Sequence, residues 1–256
     1  MTAATDNFAT DPASRWTARG SSAYSWDSGN SEFDITTNSA DPYMWHYTAT
    51  ATGSIESEAQ VTFVMGDNGA FQSRVGGPMV RGLSATTEGY VIMANGEGGY
   101  FAVVRFVGGT EQDIDYSSPG GSPGYINAAY TFTAGQWYTI RIAAEGAASG
   151  NVTLKIWIQS HGASKPSDPG WIGTDESPDY TYVDSEATRL DASGNSLAGI
   201  SGKNAGEDWD TRHSFYKQRA ITDRGVLGGE YAPIPIPQPL PTAAGVYKRF
   251  AARNVG

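Results

Sequence analysis

The chain has 256 residues, with 17 Lys and Arg against 27 Asp and Glu for a net charge of −10, and no cysteine. The negative balance argues against non-specific binding to nucleic acid or to an anionic membrane, both of which need a positive surface. The missing cysteine excludes disulfides, thiolate metal sites and cysteine nucleophiles. Thirty-two Gly, 14 Tyr and 7 Trp suit short strands joined by tight turns.

The N-terminal residues MTAATDNFATDP hold no basic segment followed by an apolar one, so they do not read as a secretory signal. No run approaches the ~18 apolar residues of a membrane span. The expectation is a protein that leaves its cell by a route without a leader, or one whose leader has been removed. Residues 1–31 predict an edge strand near Asp6-Asn7-Phe8, then irregular Ser/Gly-rich chain as far as Asn30. Phe33–Thr37 alternates briefly. Tyr43–Thr52 predicts a strand with Tyr43, Trp45 and Tyr47 on one face, and Ile55–Met65 predicts another that groups Val61, Phe63 and Met65. Asp67-Asn68-Gly69 marks a turn, since Asn and Gly tolerate positive φ. Phe71–Val75 and Met79–Leu83 predict a pair divided by Gly76-Gly77-Pro78. Tyr90–Ala94 and Tyr100–Val107 predict a hairpin around Asn95–Gly99. Residues 108–128 read as loop, and Tyr130–Thr133 as the lead into the next hairpin.

That hairpin, Gly135–Ile158, organises the chain. Tyr138, Ile140 and Ile142 share one face and Thr139 and Arg141 the other. After Glu145–Gly150, Val152, Leu154, Ile156 and Ile158 share a face opposite Thr153, Lys155 and Trp157. A period of two around a glycine-rich turn predicts an antiparallel pair with one buried face. Residues 160–179 then form a long loop carrying Trp171. Strand character returns at Tyr180–Val183, Leu197–Ile200 and His213–Ile221. No segment longer than about two turns has the 3.6 period, so little helix is expected. Tyr231–Pro241 has proline at every second position from 233 to 241, which blocks ladder hydrogen bonds and favours an extended conformation. The last fifteen residues hold Lys248, Arg249 and Arg253 and no acid.

Asp6-Asn7-Phe8 with a Trp further on, Gly77–Gly82 (GPMVRG), Tyr90–Ala94 and Tyr100–Phe106 together resemble concanavalin A-like jelly rolls. Gly135–Ile142 (GQWYTIRI) followed by Val152–Ile156 (VTLKI) is similar to the paired strands of laminin-G-like and laminarinase-like domains. The resemblance covers roughly residues 5–223. It implies an all-β, two-sheet antiparallel jelly-roll sandwich over 5–223, with an extended Pro-rich arm at 224–256. Function does not transfer with such a fold.

Laminarinase-type enzymes of that superfamily carry Glu-x-Asp-x-x-Glu on one strand, which holds two carboxyls about 5 Å apart. Here Glu32-Phe33-Asp34 is followed by Thr37 in the acid position, and Glu111, Asp113 and Asp115 lie at the mouth of a loop. Solvated strand-end carboxylates are expected in both places and no catalytic residue is assigned; activity, if present, would be glycoside hydrolysis. Sugar binding by aromatic platforms is the stronger candidate. Trp45 with Tyr43 and Tyr47, Trp157, Trp171 and Trp209 are available for it, against the ordinary alternative of core packing. Trp171, between Pro169-Gly170 and Ile172-Gly173, is the least readily explained as core. Arg74 and Arg81 lie on the 71–83 pair. Arg81 shares a face with Met79 and would clamp a carboxylate or sugar hydroxyls from the concave sheet, unless an Asp or Glu takes it.

The superfamily often holds a structural Ca²⁺. Asp191–Asn195 and Asp6-Asn7 supply hard oxygen ligands without the spacing of a complete site, so turns are expected and no cofactor is required. His46, His161 and His213 are scattered, which leaves no transition-metal site. The tail suits docking: Pro233, Pro235 and Pro237 form a stiff spacer, and Tyr247, Lys248, Arg249 and Phe250 form a basic-aromatic anchor for an acidic neighbour. The expected function is a non-enzymatic virion structural protein, a phage-type capsid decoration or tail component. It would be a homo-oligomer bound through the arm to itself or to other virion subunits, and would display a lectin-like domain toward cell-surface glycan. The alternative is a secreted carbohydrate-binding module or degenerate glucanase. Neither involves nucleic acid or membrane insertion.

Overall fold

The computed structural model describes residues 4–223 except 20–23, 36–42, 48–53, 65–76, 84–87, 96–99, 113–124, 186, 188, 193 and 203–211. The predicted strand Phe71–Val75, with Arg74, lies outside the described residues. So do Trp209 and the whole arm, including Pro233, Pro235, Pro237, Tyr247, Lys248, Arg249 and Phe250.

Sixteen strands, numbered in chain order, form two antiparallel sheets among the described residues. The first runs β14 (Tyr180–Asp184), β13 (Val152–Gly162), β12 (Trp137–Glu145), β6 (Ser57–Val64), β16 (Arg212–Ala220), β4 (Glu32–Ile35) and β3 (Tyr24–Asp27), with β1 (Ala4–Asp6) also on β16. The second runs β10 (Thr110–Gln112), β9 (Tyr100–Val107), β8 (Gly89–Asn95), β7 (Gly77–Gly82), β15 (Leu197–Gly202), β5 (Tyr43–Tyr47) and β2 (Trp16–Arg19), with β11 (Tyr125–Ala129) on β9. The described residues otherwise hold only two 3-10 turns, Pro12–Ser14 and Ile221–Asp223. Among the described residues, no helix is long and apolar enough to cross a membrane.

Period two explains the core. Val61 and Phe63, Ile140 and Ile142, Leu154 and Ile156, and Tyr216 face inward from the first sheet; Val80, Ile92, Ala94, Phe101, Val103, Ala198 and Ile200 meet them from the second. Each buried Val, Ile, Leu or Phe among them contributes roughly 1.5–3 kcal/mol. The β12–β13 hairpin forms as expected, from Trp137↔Gly162 to Glu145↔Thr153. Its turn needs glycine at 146: φ is +117°, and a Cβ there would sit 2.2 Å from the Asn151 carbonyl oxygen.

Three expectations need correction. The chain before Asn30 is not irregular throughout, because β2 pairs with β5 and β3 with β4. The stretch 108–128, expected to be loop, contains β10 and most of β11, both laid on β9. Backbone pairing alone places these edge strands, without an apolar pattern to betray them. Finally, β6 is buried on both faces along its whole length, and so is β12 as far as Ala144.

Candidate functional site

The outer face of the first sheet explains that double burial. Register aligns Trp157, Arg141, Gln60 and Lys217 in one row across β13, β12, β6 and β16, with Ala143, Glu58 and Arg219 in the next. All are buried, because residues 163–179 cross them as a strap. The Gln60 carboxamide is satisfied at both ends: Nε2 donates to the Gly170 carbonyl (2.5 Å) and Oε1 accepts from the Ile172 N–H (2.9 Å). Arg141 donates through Nε (2.9 Å) and Nη2 (2.5 Å) to Glu58 Oε2, through Nη1 to the Ile172 carbonyl (2.9 Å), and to Asp175 Oδ1. Arg219 takes the other oxygen of Glu58. Glu58 is 0% exposed, so its charge is tolerable only because two guanidinium groups share it.

Trp157 lies beneath the strap. Its Nε1 donates to the carbonyls of Thr174 (2.9 Å) and Ser177 (3.0 Å), and the Arg141 guanidinium sits 4.1 Å from its ring centroid. The strap approaches this ring so closely that position 173 must be glycine. Its φ is +69°, and a Cβ would stand 2.1 Å from Trp157 Cδ1. Ile172 completes a small apolar cluster with Ala143, Trp157 and Ile221.

Trp171 is only half-buried. The Arg219 guanidinium carbon is 4.3 Å from its ring centroid and that of Arg141 is 5.5 Å away, contacts worth about 0.5–2 kcal/mol each. Two of the strap's carboxylates, Asp168 and Asp175, are paired with the cations of this face. The Asp168 side chain, 51% exposed, accepts from Lys217 Nζ (2.5 Å) and from the Gly170 N–H (2.8 Å). Burial pushes its pKa up, but the Lys217 and Gly170 hydrogen bonds outweigh this and hold it below the usual carboxylate range. The Asp175 side chain is 35% exposed. A flat ring fixed on buried cations, in a strap that also presents acceptor oxygens, can stack on the apolar face of a pyranose while carboxylates take its hydroxyl protons.

The other expected residues lie elsewhere. Trp45 is on β5, paired with Ala18 and Ile200; its side chain lies outside the described residues. Arg81 does not project from a sheet face. Its φ of +56° turns it inward, where it is 0% exposed and donates to the carbonyls of Leu190 (3.1 Å) and Gly146 (2.6 Å). It joins two loops at one end of the sandwich instead of meeting a carboxylate, and burial lowers its pKa. Nearby, Asp184 accepts from Arg105 Nη1 and Tyr90 Oη, each at 2.6 Å. Burial and that carboxylate push the Tyr90 phenol far up.

Glu32 is not a solvated carboxylate. It is buried and accepts from Lys165 (3.0 Å) and Arg212 (3.1 Å). Asp34 is half-buried, and the side chains of Glu111, Asp113 and Asp115 lie outside the described residues. Asp6 accepts from the Phe8 N–H, from Arg15 Nε and Nη2, and from Trp16 Nε1, while Asn7 caps the Ala9 N–H. Asp191 pairs with Arg189, and the Asn195 side chain donates to the Arg81 carbonyl and Glu88. Among the described residues, no group of three or more His, Asp or Glu is placed to hold a metal ion. Sequence reasoning missed Glu58, Gln60, Arg141 and Arg219. The only signal was polar alternation on β6 and β12, which ordinarily means solvent.

No protein-family model matches the chain, and no curated protein matches its sequence. Among solved structures it is similar to the exoplasmic/lumenal domain of VIP36 in a Ca²⁺-bound form, with TM-score 0.50, 10% identity, 86% of this chain and 90% of that one covered. It is similar to the metal-free form of that domain at TM-score 0.50 and 10% identity, covering 86% and 91%. It is also similar to carbohydrate-binding module CBM66 from Bacillus subtilis, at TM-score 0.46 and 11% identity, covering 78% and 91%. At such identities the likeness speaks to the fold, which is a concanavalin A-like, two-sheet antiparallel jelly roll.

Proposed function

We propose that the chain is a non-catalytic carbohydrate-binding domain, and that Trp171 is its stacking platform. The observation that carries this reading is the mounting of Trp171. A half-exposed indole rests on the guanidinium groups of Arg219 and Arg141, in a strap clamped to the sheet, beside the part-exposed carboxylates of Asp168 and Asp175. Immobilising the ring beforehand lowers the ordering cost of binding. A glycan array probed with the full chain tests the proposal. Binding to at least one glycan class that is lost in Trp171→Ala is expected, and an array pattern indifferent to that change contradicts it. Reducing-sugar release from the bound polysaccharide would displace the non-catalytic reading in favour of a hydrolase.

A finer reading places this domain on a virion surface, as a capsid decoration or tail component anchored by the arm; the alternative is a secreted module. What favours the virion reading is the alternating proline of 233–241 followed by an acid-free basic tail, on a chain of net charge −10. A stiff spacer ending in Tyr247, Lys248, Arg249 and Phe250 suits docking to an acidic subunit. Light scattering on the full chain and on a truncation ending at Asp223 separates the two. Assembly that needs the arm supports the virion reading, and two monomers support the secreted module.

A further inference from the structure

The junction between β4 and β16 is a narrow one. β12 and β16 both run beside β6 from Ser57 to Val64, whereas β4 meets β16 at Arg212↔Asp34 and His213↔Phe33 alone among the described residues. A register shift follows immediately, between His213 and Phe215.

Two buried ionisable groups sit at this junction. The His213 ring, 1% exposed, lies 6.2 Å from the Phe33 ring and 6.1 Å from the Phe63 ring. Its Nδ1 is 3.0 Å from the Phe33 carbonyl oxygen. A carbonyl can only accept, so Nδ1 carries the proton of the neutral ring. The remaining lone pair, on Nε2, is buried and has no hydrogen-bond partner among the described residues. One residue before Phe33, buried Glu32 accepts from Arg212 Nη1 on β16 and from Lys165 Nζ on the strap, and Lys165 also donates to the Asn30 carbonyl in the β3–β4 turn. Glu32 thus ties the hairpin both to the sheet and to the strap that carries Trp171.

Acid acts on the imidazole: a proton on Nε2 creates a charge among phenylalanine rings. The other ionisable groups around the junction are Asp34 on β4, Asp27 and Tyr24 on β3, Arg212 on β16, Lys165 on the strap, and Tyr138 on β12, whose ring neighbours Phe63. We propose that the β3–β4 hairpin is an acid-released latch: protonation of His213 detaches it from β16, and with it the Glu32 anchor that holds the Lys165 end of the strap.

Burial drives His213 down to about 4, against about 6.5 for a free imidazole. The closed form therefore has its full stability above pH 6.5 and loses it as pH falls toward 4. In that window the open form takes the proton far more readily, so the open fraction rises by at most about tenfold per pH unit, or about 40-fold from pH 6.5 to 4.5.

Hydrogen exchange on the full chain tests the latch, expressed as protection factors so that the pH dependence of intrinsic exchange cancels. Amides of residues 24–35 are expected to be at least about tenfold less protected than those of β12 and to lose about 40-fold protection between pH 6.5 and 4.5, with most of that slope removed in His213→Asn. Equal protection in the hairpin and β12, or a hairpin indifferent to pH, overturns the proposal. If His213→Asn does not fold, NMR titration of the wild-type imidazole decides: a His213 midpoint near 4 supports the latch, and one above 6 overturns it.

Discussion

Among the described residues, central strands of both sheets are buried on their outer faces too, by opposite chemistry. On the first sheet, Gln60, Arg141 and Trp157 hydrogen-bond to the strap, and Glu58 is shared by Arg141 and Arg219 from the neighbouring strands. On the second, Met79, Val91, Met93, Ala102, Val104 and Phe106 form an apolar cluster separate from the main core, every member fully buried. An apolar face is stabilised by area and packing and accepts any well-fitting shape. A charged face is stable only while each partner is present, because an orphaned buried charge costs several kcal/mol. The polar face is therefore poorly tolerant of change, and that same rigidity holds Trp171 still.

Breaking the ionic arrangement should have the largest effect. Glu58→Ala leaves Arg141 and Arg219 without their shared carboxylate and is expected to cost about 3–5 kcal/mol, read as a fall in urea midpoint with unchanged slope. On the apolar face, Met93→Ala should cost about 2–4 kcal/mol by cavity formation, while Met93→Leu costs under about 1.5 kcal/mol. The comparison sharpens if Glu58→Gln, though isosteric, is far more damaging than Met93→Leu; similar losses for the two would show that the faces do not differ in kind.

Gly173→Ala should cost about 1–3 kcal/mol, from positive φ and the clash with Trp157. It should also increase protease cleavage within 163–179, whereas an uncut strap would mean that its contact with Trp157 is not what secures it. The smallest effect belongs to the exposed rim. Asp168 has a depressed pKa, so its contribution is present above the unfolded value near 3.9 and fades as pH falls through the folded one. Asp168→Asn should change stability at neutral pH by less than about 1 kcal/mol, and less still in high salt. A larger loss, insensitive to salt, would place this pair with the buried ones.

The β12–β13 and β8–β9 hairpins were legible because period two, β-branched residues and glycine turns coincide in a short span. The strap's role was not legible. Alternation on β6 marks Glu58, Gln60 and Thr62 as a polar face, which normally points to water. The partners that bury Gln60 lie 110 and 112 residues away, at Gly170 and Ile172. Arg81 eluded the reading for a local reason: alternation assigns it to the face of Met79, but a positive φ turns it into the interior. Trp171 stood out because glycine and proline flank it in a long loop; that cations brace its ring follows only from strands distant in sequence.

Affinity electrophoresis of the wild type and Trp171→Ala through gels cast with a panel of neutral and acidic polysaccharides is the most direct test of the central claim. The account predicts that at least one polysaccharide retards the wild type and that Trp171→Ala loses about tenfold or more in affinity, roughly 1.4 kcal/mol, while its urea midpoint stays close to that of the wild type. Equal retardation of the two proteins, or none of the wild type by any polysaccharide, would contradict it.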